Sequence, residues 1–206
     1  IDRSRGLGDV YKRQCLNSIL KKNQIKEVTD SFVRNRVSDG MGKLIQDSFL
    51  IDEKHSDFEG LRNNLLDEYN KNYLNSKTFS GVDEFLKQLS KNEIEWMIVT
   101  NKPKNFSLTI CEKFGWQKNA KAIITPEDVD GKRKPNPAGL NEALSKTSIR
   151  REESVYVGDN WRDIEAAHNS GIDSILALYG YIDKKDSILL KPTSKIDSIQ
   201  ELKSYF

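Results

Sequence analysis

Three short polar runs in this chain carry residue types that suit a phosphate group and a divalent metal. Thr100-Asn101-Lys102-Pro103 follows the apolar run Trp96-Met97-Ile98-Val99. Gly158-Asp159-Asn160-Trp161-Arg162-Asp163 follows Val155-Tyr156-Val157, and Lys134-Pro135-Asn136-Pro137 lies between the two. A phosphoryl group needs its negative oxygens neutralised as charge shifts during transfer. A lysine point charge and a hydroxyl donor supply that. Magnesium keeps several waters and takes one or two carboxylates besides substrate oxygens. Asp159 and Asp163 could face one such ion from a strand end and the first turn of the next helix. Taken singly each residue has a plainer reading. Thr100 could simply end a strand, Lys134 could be a solvated charge, and both aspartates could stabilise a helix dipole. Their order along the chain favours the joint reading.

The elements around these runs must place them on one side of a sheet. Ser80 can cap a helix with Val82, Phe85, Leu86 and Leu89 on its apolar face. Strands are expected at Trp96–Val99, Ala122–Ile124, Val155–Val157 and Ser174–Leu178. Helices are expected after Pro103, with Phe106, Ile110 and Phe114 inside, and after Pro137, with Leu140, Ala143 and Leu144 inside. Asn160 can cap a helix that buries Trp161, Ile164, Ala167 and His168 and ends at Gly171. A last helix is expected over Ser198–Tyr205. Strands alternating with helices through short loops argue an α/β fold with a parallel sheet covered on both faces. Ligands of such sheets bind at the carboxyl ends of the strands, where the three polar runs stand.

The first part of the chain reads differently. From Cys15 to about Ser76 the periodicity is helical, in Cys15–Lys22, Lys26–Val37, Met41–Phe49 and Phe58–Tyr73. These segments predict a small helical bundle. The domain boundaries expected are therefore 15–77 for the helical part and 78–206 for the α/β part.

Composition excludes several partners. Lys+Arg number 33 against 31 Asp+Glu, a net charge of +2, which is no footprint for nucleic acid or an anionic membrane. The longest apolar runs are a few residues, too short to span a bilayer. Two cysteines, Cys15 and Cys111, form neither a disulfide framework nor a ligand spacing, so a reduced, cytoplasmic setting is expected. No G-x-G-x-x-G occurs, which argues against a dinucleotide-binding oxidoreductase.

Ile98 to Pro103 resembles the second motif of the haloacid-dehalogenase (HAD) superfamily. Lys134-Pro135-Asn136-Pro137 resembles its third, and Val155 to Asp163 with Ala166, Ala167 and Gly171 its fourth. Gly180-Tyr181 and Val37-Ser38-Asp39-Gly40-Met41 resemble the phosphoglycolate-phosphatase branch, the latter its cap loop. The resemblance implies a Rossmann-like parallel-sheet core with an inserted helical cap domain. It also implies a Mg²⁺-dependent phosphatase acting on a small phosphorylated metabolite through an aspartyl-phosphate. In that scheme Thr100 binds a phosphate oxygen and Asn101 flanks the phosphate. Lys134 holds the phosphate and offsets the nucleophile's charge. Asp159 ligates the metal, and Asp163 supports the metal or orients the lysine. Asp39 and Gly40 help select the substrate.

The family's first motif is a buried strand ending in Asp-x-Asp, whose first Asp attacks phosphorus and whose second is the general acid and base. Residues 1–14 hold no run of four apolar residues and supply no such strand. They resemble translated library-junction sequence, and are expected to be foreign to the protein. An inactive chain is the expectation, and the alternatives are a HAD phosphatase for another small phosphoester, or a non-catalytic phosphate- and metal-binding module.

Overall fold

A computed structural model of the chain describes residues 7–34, 36, 39–75, 77–182 and 184–205. The chain divides into two compact units, Ile1–Ser80 and Gly81–Phe206.

The first unit is helical: α1 Leu7–Lys22, α2 Asp30–Arg34, α3 Met41–Phe49 and α4 Phe58–Asn72. Its core is the apolar stripe of each helix. Leu16, Ile19 and Leu20 of α1 are buried with Val33, Leu44, Ile45, Leu65 and Tyr69. Helix α1 begins at Leu7 rather than Cys15. The run Leu7–Gln14 holds no proline and several good helix formers, so nothing in it stops the helix. The helix expected over Lys26–Val37 shrinks to Asp30–Arg34. The Asn17 amide donates to the Val28 carbonyl at 3.1 Å and accepts from Val28 N–H at 2.8 Å. That clamp uses backbone groups at Val28 that a helix would have taken. Val37 and Ser38 of the expected cap loop lie outside the described residues.

The second unit alternates: α5 Val82–Lys91, β1 Ile98–Val99, α6 Lys104–Lys113, β2 Ile123–Ile124, α7 Ala138–Ser145, β3 Val155–Gly158, α8 Trp161–Ser170, β4 Asp173–Ala177, α9 Lys184–Leu189 and β5 Ser194–Ile196. All pairings are parallel, as expected, but the strands form two sheets, β1-β2 and β3-β4-β5. Ile98 N–H donates to the Ala122 carbonyl and Thr100 N–H to the Ile124 carbonyl, both at 3.0 Å. Ladder geometry therefore turns the Val99 peptide groups to the opposite edge of β1. There the Val99 carbonyl meets side chains rather than another strand.

Alternation along the strands serves two apolar layers. Ile98, Val155 and Val157 pack with Phe85, Leu89, Trp96, Ile175 and Leu202. Val99 and Tyr156 pack on the other face with Leu140, Ala166, Ala167 and Ile172. This is the two-faced burial that a parallel sheet requires.

Several expectations need correction. Helix α5 is entered through Gly81, at φ +84°, not capped by Ser80. A left-handed residue there favours glycine. The deepest residues of α6 are Ser107 and Cys111, with Phe106, Ile110 and Phe114 half-buried. Helix α8 buries Asp163, Ile164, Ala166, Ala167 and Ser170. Trp161 is 41% exposed and His168 is exposed as well. These two stand seven residues apart, hence on one face, and that face looks to solvent. The segment after β5 is a 3-10 helix over Ile199–Ser204 rather than an α-helix. Strand β5 and helix α9 had no clear pattern in the sequence.

Candidate functional site

The second unit brings the three polar runs together around Lys134. Its ammonium donates to the Val99 carbonyl at 3.0 Å and to the Tyr156 hydroxyl at 2.6 Å. It pairs with Asp163 Oδ1 at 2.7 Å, with both side chains nearly buried. Burial opposes the charge, but Tyr156 and Asp163 beside it raise the Lys134 pKa above the ordinary lysine value. Lys134 is therefore a fixed cation at neutral pH.

Asp163 is buried because it works on two sides. Its Oδ1 meets the lysine, and its Oδ2 accepts the backbone N–H of Asp159 and of Asn160, each at 3.1 Å. The second contact closes a capping box with Asn160, whose side chain accepts from Arg162 N–H. A Cβ at Gly158 would collide with Asp163, so the glycine makes room for this carboxylate. Both Asp163 oxygens thus have partners within the chain.

Asp159 sits at the end of β3. Its Oδ2 accepts the Tyr181 N–H at 2.9 Å. A Cβ at Gly180 would strike it. Burial, and then the neighbouring Asp163, push the Asp159 pKa above the ordinary aspartate value. A carboxylate so placed gains from a cation. Among the described residues, no group of three or more His, Cys, Asp or Glu could enclose a metal. A Mg²⁺ ion does not need one, since water and substrate oxygens fill most of its shell.

Thr100 follows β1, and its hydroxyl oxygen accepts the Lys102 N–H at 3.1 Å. The hydroxyl keeps its own proton for donation. Asn101 bonds to the backbone of Lys134. Its amide donates to the Lys134 carbonyl at 3.0 Å and accepts from Lys134 N–H at 2.8 Å. Both ends of the amide are spent on the lysine's backbone, next to the cis Lys134–Pro135 peptide. Burial lowers the pKa of Lys102 in the same loop.

Asp39 and Gly40 belong to the first unit. Both are exposed, and Gly40, at φ 93°, precedes α3. Sequence reasoning missed Tyr156, which reads as a strand interior. The signal was a single polar-tipped aromatic between two valines, whose hydroxyl needs a partner once buried.

Residues 11–177 match the family described as haloacid dehalogenase-like hydrolase, and the chain belongs to that family. Among curated relatives, it is 30% identical over 171 residues to an N-acetylmuramic acid 6-phosphate phosphatase of Pseudomonas putida, spanning 82% of this chain and 76% of the relative. It is 32% identical over 171 residues to a phosphoglycolate phosphatase of Xanthomonas campestris pv. campestris, spanning 81% and 75%. Its fold is similar to the crystal structure of a predicted phosphoglycolate phosphatase from Haemophilus somnus. There the TM-score is 0.84 at 21% identity, covering 98% of this chain and 94% of that one. A putative haloacid dehalogenase-like hydrolase from Bacteroides fragilis gives a TM-score of 0.81 at 20% identity, over 98% and 96%.

Proposed function

We propose that the second unit is a phosphomonoester site of a small-metabolite phosphatase, with phosphoglycolate as its substrate. The observation that carries this reading is the buried Lys134 cation, held by Asp163 beside Thr100 and Asp159 at the strand ends. Lys134 neutralises phosphate oxygens, and Thr100 donates a hydrogen bond to one of them. Asn101 fixes the lysine's backbone, and Asp163 aims its ammonium. Asp159 would hold Mg²⁺, which supplies charge neutralisation for the phosphoryl group when bound. Asp39 and Gly40 contribute to substrate choice.

The aspartyl-phosphate route implied by the family resemblance also needs a carboxylate free to attack phosphorus. Among the described residues, the carboxylates placed at this site are Asp159, held by Tyr181 N–H, and Asp163, held by Lys134. Turnover by residues 1–206 alone is therefore expected to stay at background, while binding persists.

A second substrate reading rests on the Pseudomonas putida relative, whose name specifies N-acetylmuramic acid 6-phosphate. Calorimetric titration with each phosphoester in the presence of Mg²⁺ separates the two. Tighter binding of phosphoglycolate supports the first reading, and tighter binding of the amino-sugar phosphate supports the second. Binding of neither removes both.

No helix among the described residues is long and apolar enough to cross a membrane. Cys15 and Cys111 are buried free thiols, which fits the reduced, cytoplasmic setting proposed for such a phosphatase.

A further inference from the structure

Trp161 opens α8 between Asp159 and Asp163, and it is 41% exposed. Among the described residues with large exposed apolar side chains, it is the one within two positions of an aspartate of the site. Neither apolar layer of the second unit takes in its ring. The buried stripe of α8 is complete without it, in Ile164, Ala166 and Ala167. Side chains on a helix tilt toward its N-terminus. Trp161 is the first residue of its helix, so that tilt carries the indole toward the loop of Asp159 and Asn160. The ring is also held in place. The Arg162 guanidinium lies 4.8 Å from its centroid, a cation–π distance. Arg162 N–H is in turn tied to the Asn160 side chain at 3.1 Å.

A phosphoester bound at Lys134 and Asp159 sends its organic group out past the strand ends, where α8 begins. A held aromatic ring there offers a flat apolar surface whose face is electron-rich. The C–H face of a six-membered sugar ring matches such a surface. A carboxylate does not, because the electron-rich face repels it. We propose that Trp161 is a stacking platform for a sugar ring, and that the site takes phosphates of six-membered sugars. The inference rests on the phosphate reading of the site and deepens it, by naming a substrate class and the residue that selects it.

The test is calorimetric titration, with Mg²⁺, of inorganic phosphate, phosphoglycolate and glucose 6-phosphate into wild type, Trp161→Ala and Trp161→Phe. Wild type should bind glucose 6-phosphate. W161A should weaken that binding about fivefold, as one lost ring contact implies, and W161F should keep most of it. Inorganic phosphate and phosphoglycolate should bind W161A as they bind wild type. Because the ring lies outside both apolar layers, neither substitution should move the urea midpoint. Equal weakening of all three ligands in W161A shows a merely structural role and overturns the proposal. Unchanged binding of glucose 6-phosphate shows that no ring contact is made and overturns it as well. Wild type that binds inorganic phosphate but not glucose 6-phosphate overturns the proposal and leaves the phosphate reading standing. No binding of any of the three, inorganic phosphate included, removes the phosphate reading and the platform with it.

Discussion

Lys134 Nζ and Asp163 Oδ1 lie 2.7 Å apart with their side chains only 11% and 10% exposed. A buried pair of this kind is costly to break from one side, because the remaining charge has no partner. Asp163→Ala should destabilise the second unit by about 3 kcal/mol, read as an earlier urea midpoint. The paired replacement of Lys134 by Met and Asp163 by Leu should recover much of that loss. An Asp163→Ala midpoint equal to wild type would mean that the pair does not hold the fold.

Gly158 and Gly180 each leave space for one aspartate. Gly158→Ala should push on Asp163, and Gly180→Ala on Asp159. Each should cost about 1–3 kcal/mol by overpacking. The two differ in their reach. Gly180→Ala should weaken Mg²⁺-dependent phosphate binding and leave the Lys134 ammonium resonance in place, whereas Gly158→Ala should move that resonance. Identical responses to both would argue against separate duties for the aspartates.

Much of the site was legible in the sequence because its residues follow strands. Thr100 after β1 and Asp159 after β3 stand where a parallel sheet presents its ligands. Less legible were contacts made across the sheet. The amide of Asn101 turns to Lys134, 33 positions away, and the hydroxyl of Tyr156 reaches Val99, 57 positions away. Neither spacing leaves a periodic trace. The fold shows the same divide. Helix α4 announces itself through Phe58, Leu65 and Tyr69, whereas β5 is three residues with a lysine in the middle. Trp161 and His168 misled because an aromatic and an imidazole at helical spacing read as a face, while the buried stripe is carried by Ile164 and two alanines.

In the first unit, the Lys43 ammonium and then, against the pull of burial, the Arg36 guanidinium hold the Asp47 carboxylate below the ordinary aspartate range. A carboxylate with a lowered folded-state pKa adds stability that is fully present above its unfolded value. That stability is lost as pH falls through the lowered folded value. The melting temperature of wild type should therefore fall below about pH 4 more steeply than that of Asp47→Asn. Parallel curves for the two proteins would contradict the assignment.

Leu65 of α4 is fully buried against the helical core. Leu65→Ala should cost about 2–5 kcal/mol. Amide exchange should rise in α1, α3 and α4, and the strands of the second unit should keep their protection if the two units unfold separately. Equal loss of protection in both units would show that they unfold together.

The phosphate reading of the second unit is tested most directly by calorimetric titration of inorganic phosphate into the wild-type chain and into Lys134→Met, with and without Mg²⁺. The account predicts saturable binding in wild type, strengthened by Mg²⁺ and abolished in Lys134→Met. No heat beyond dilution in wild type, or the same binding without the lysine, would contradict it.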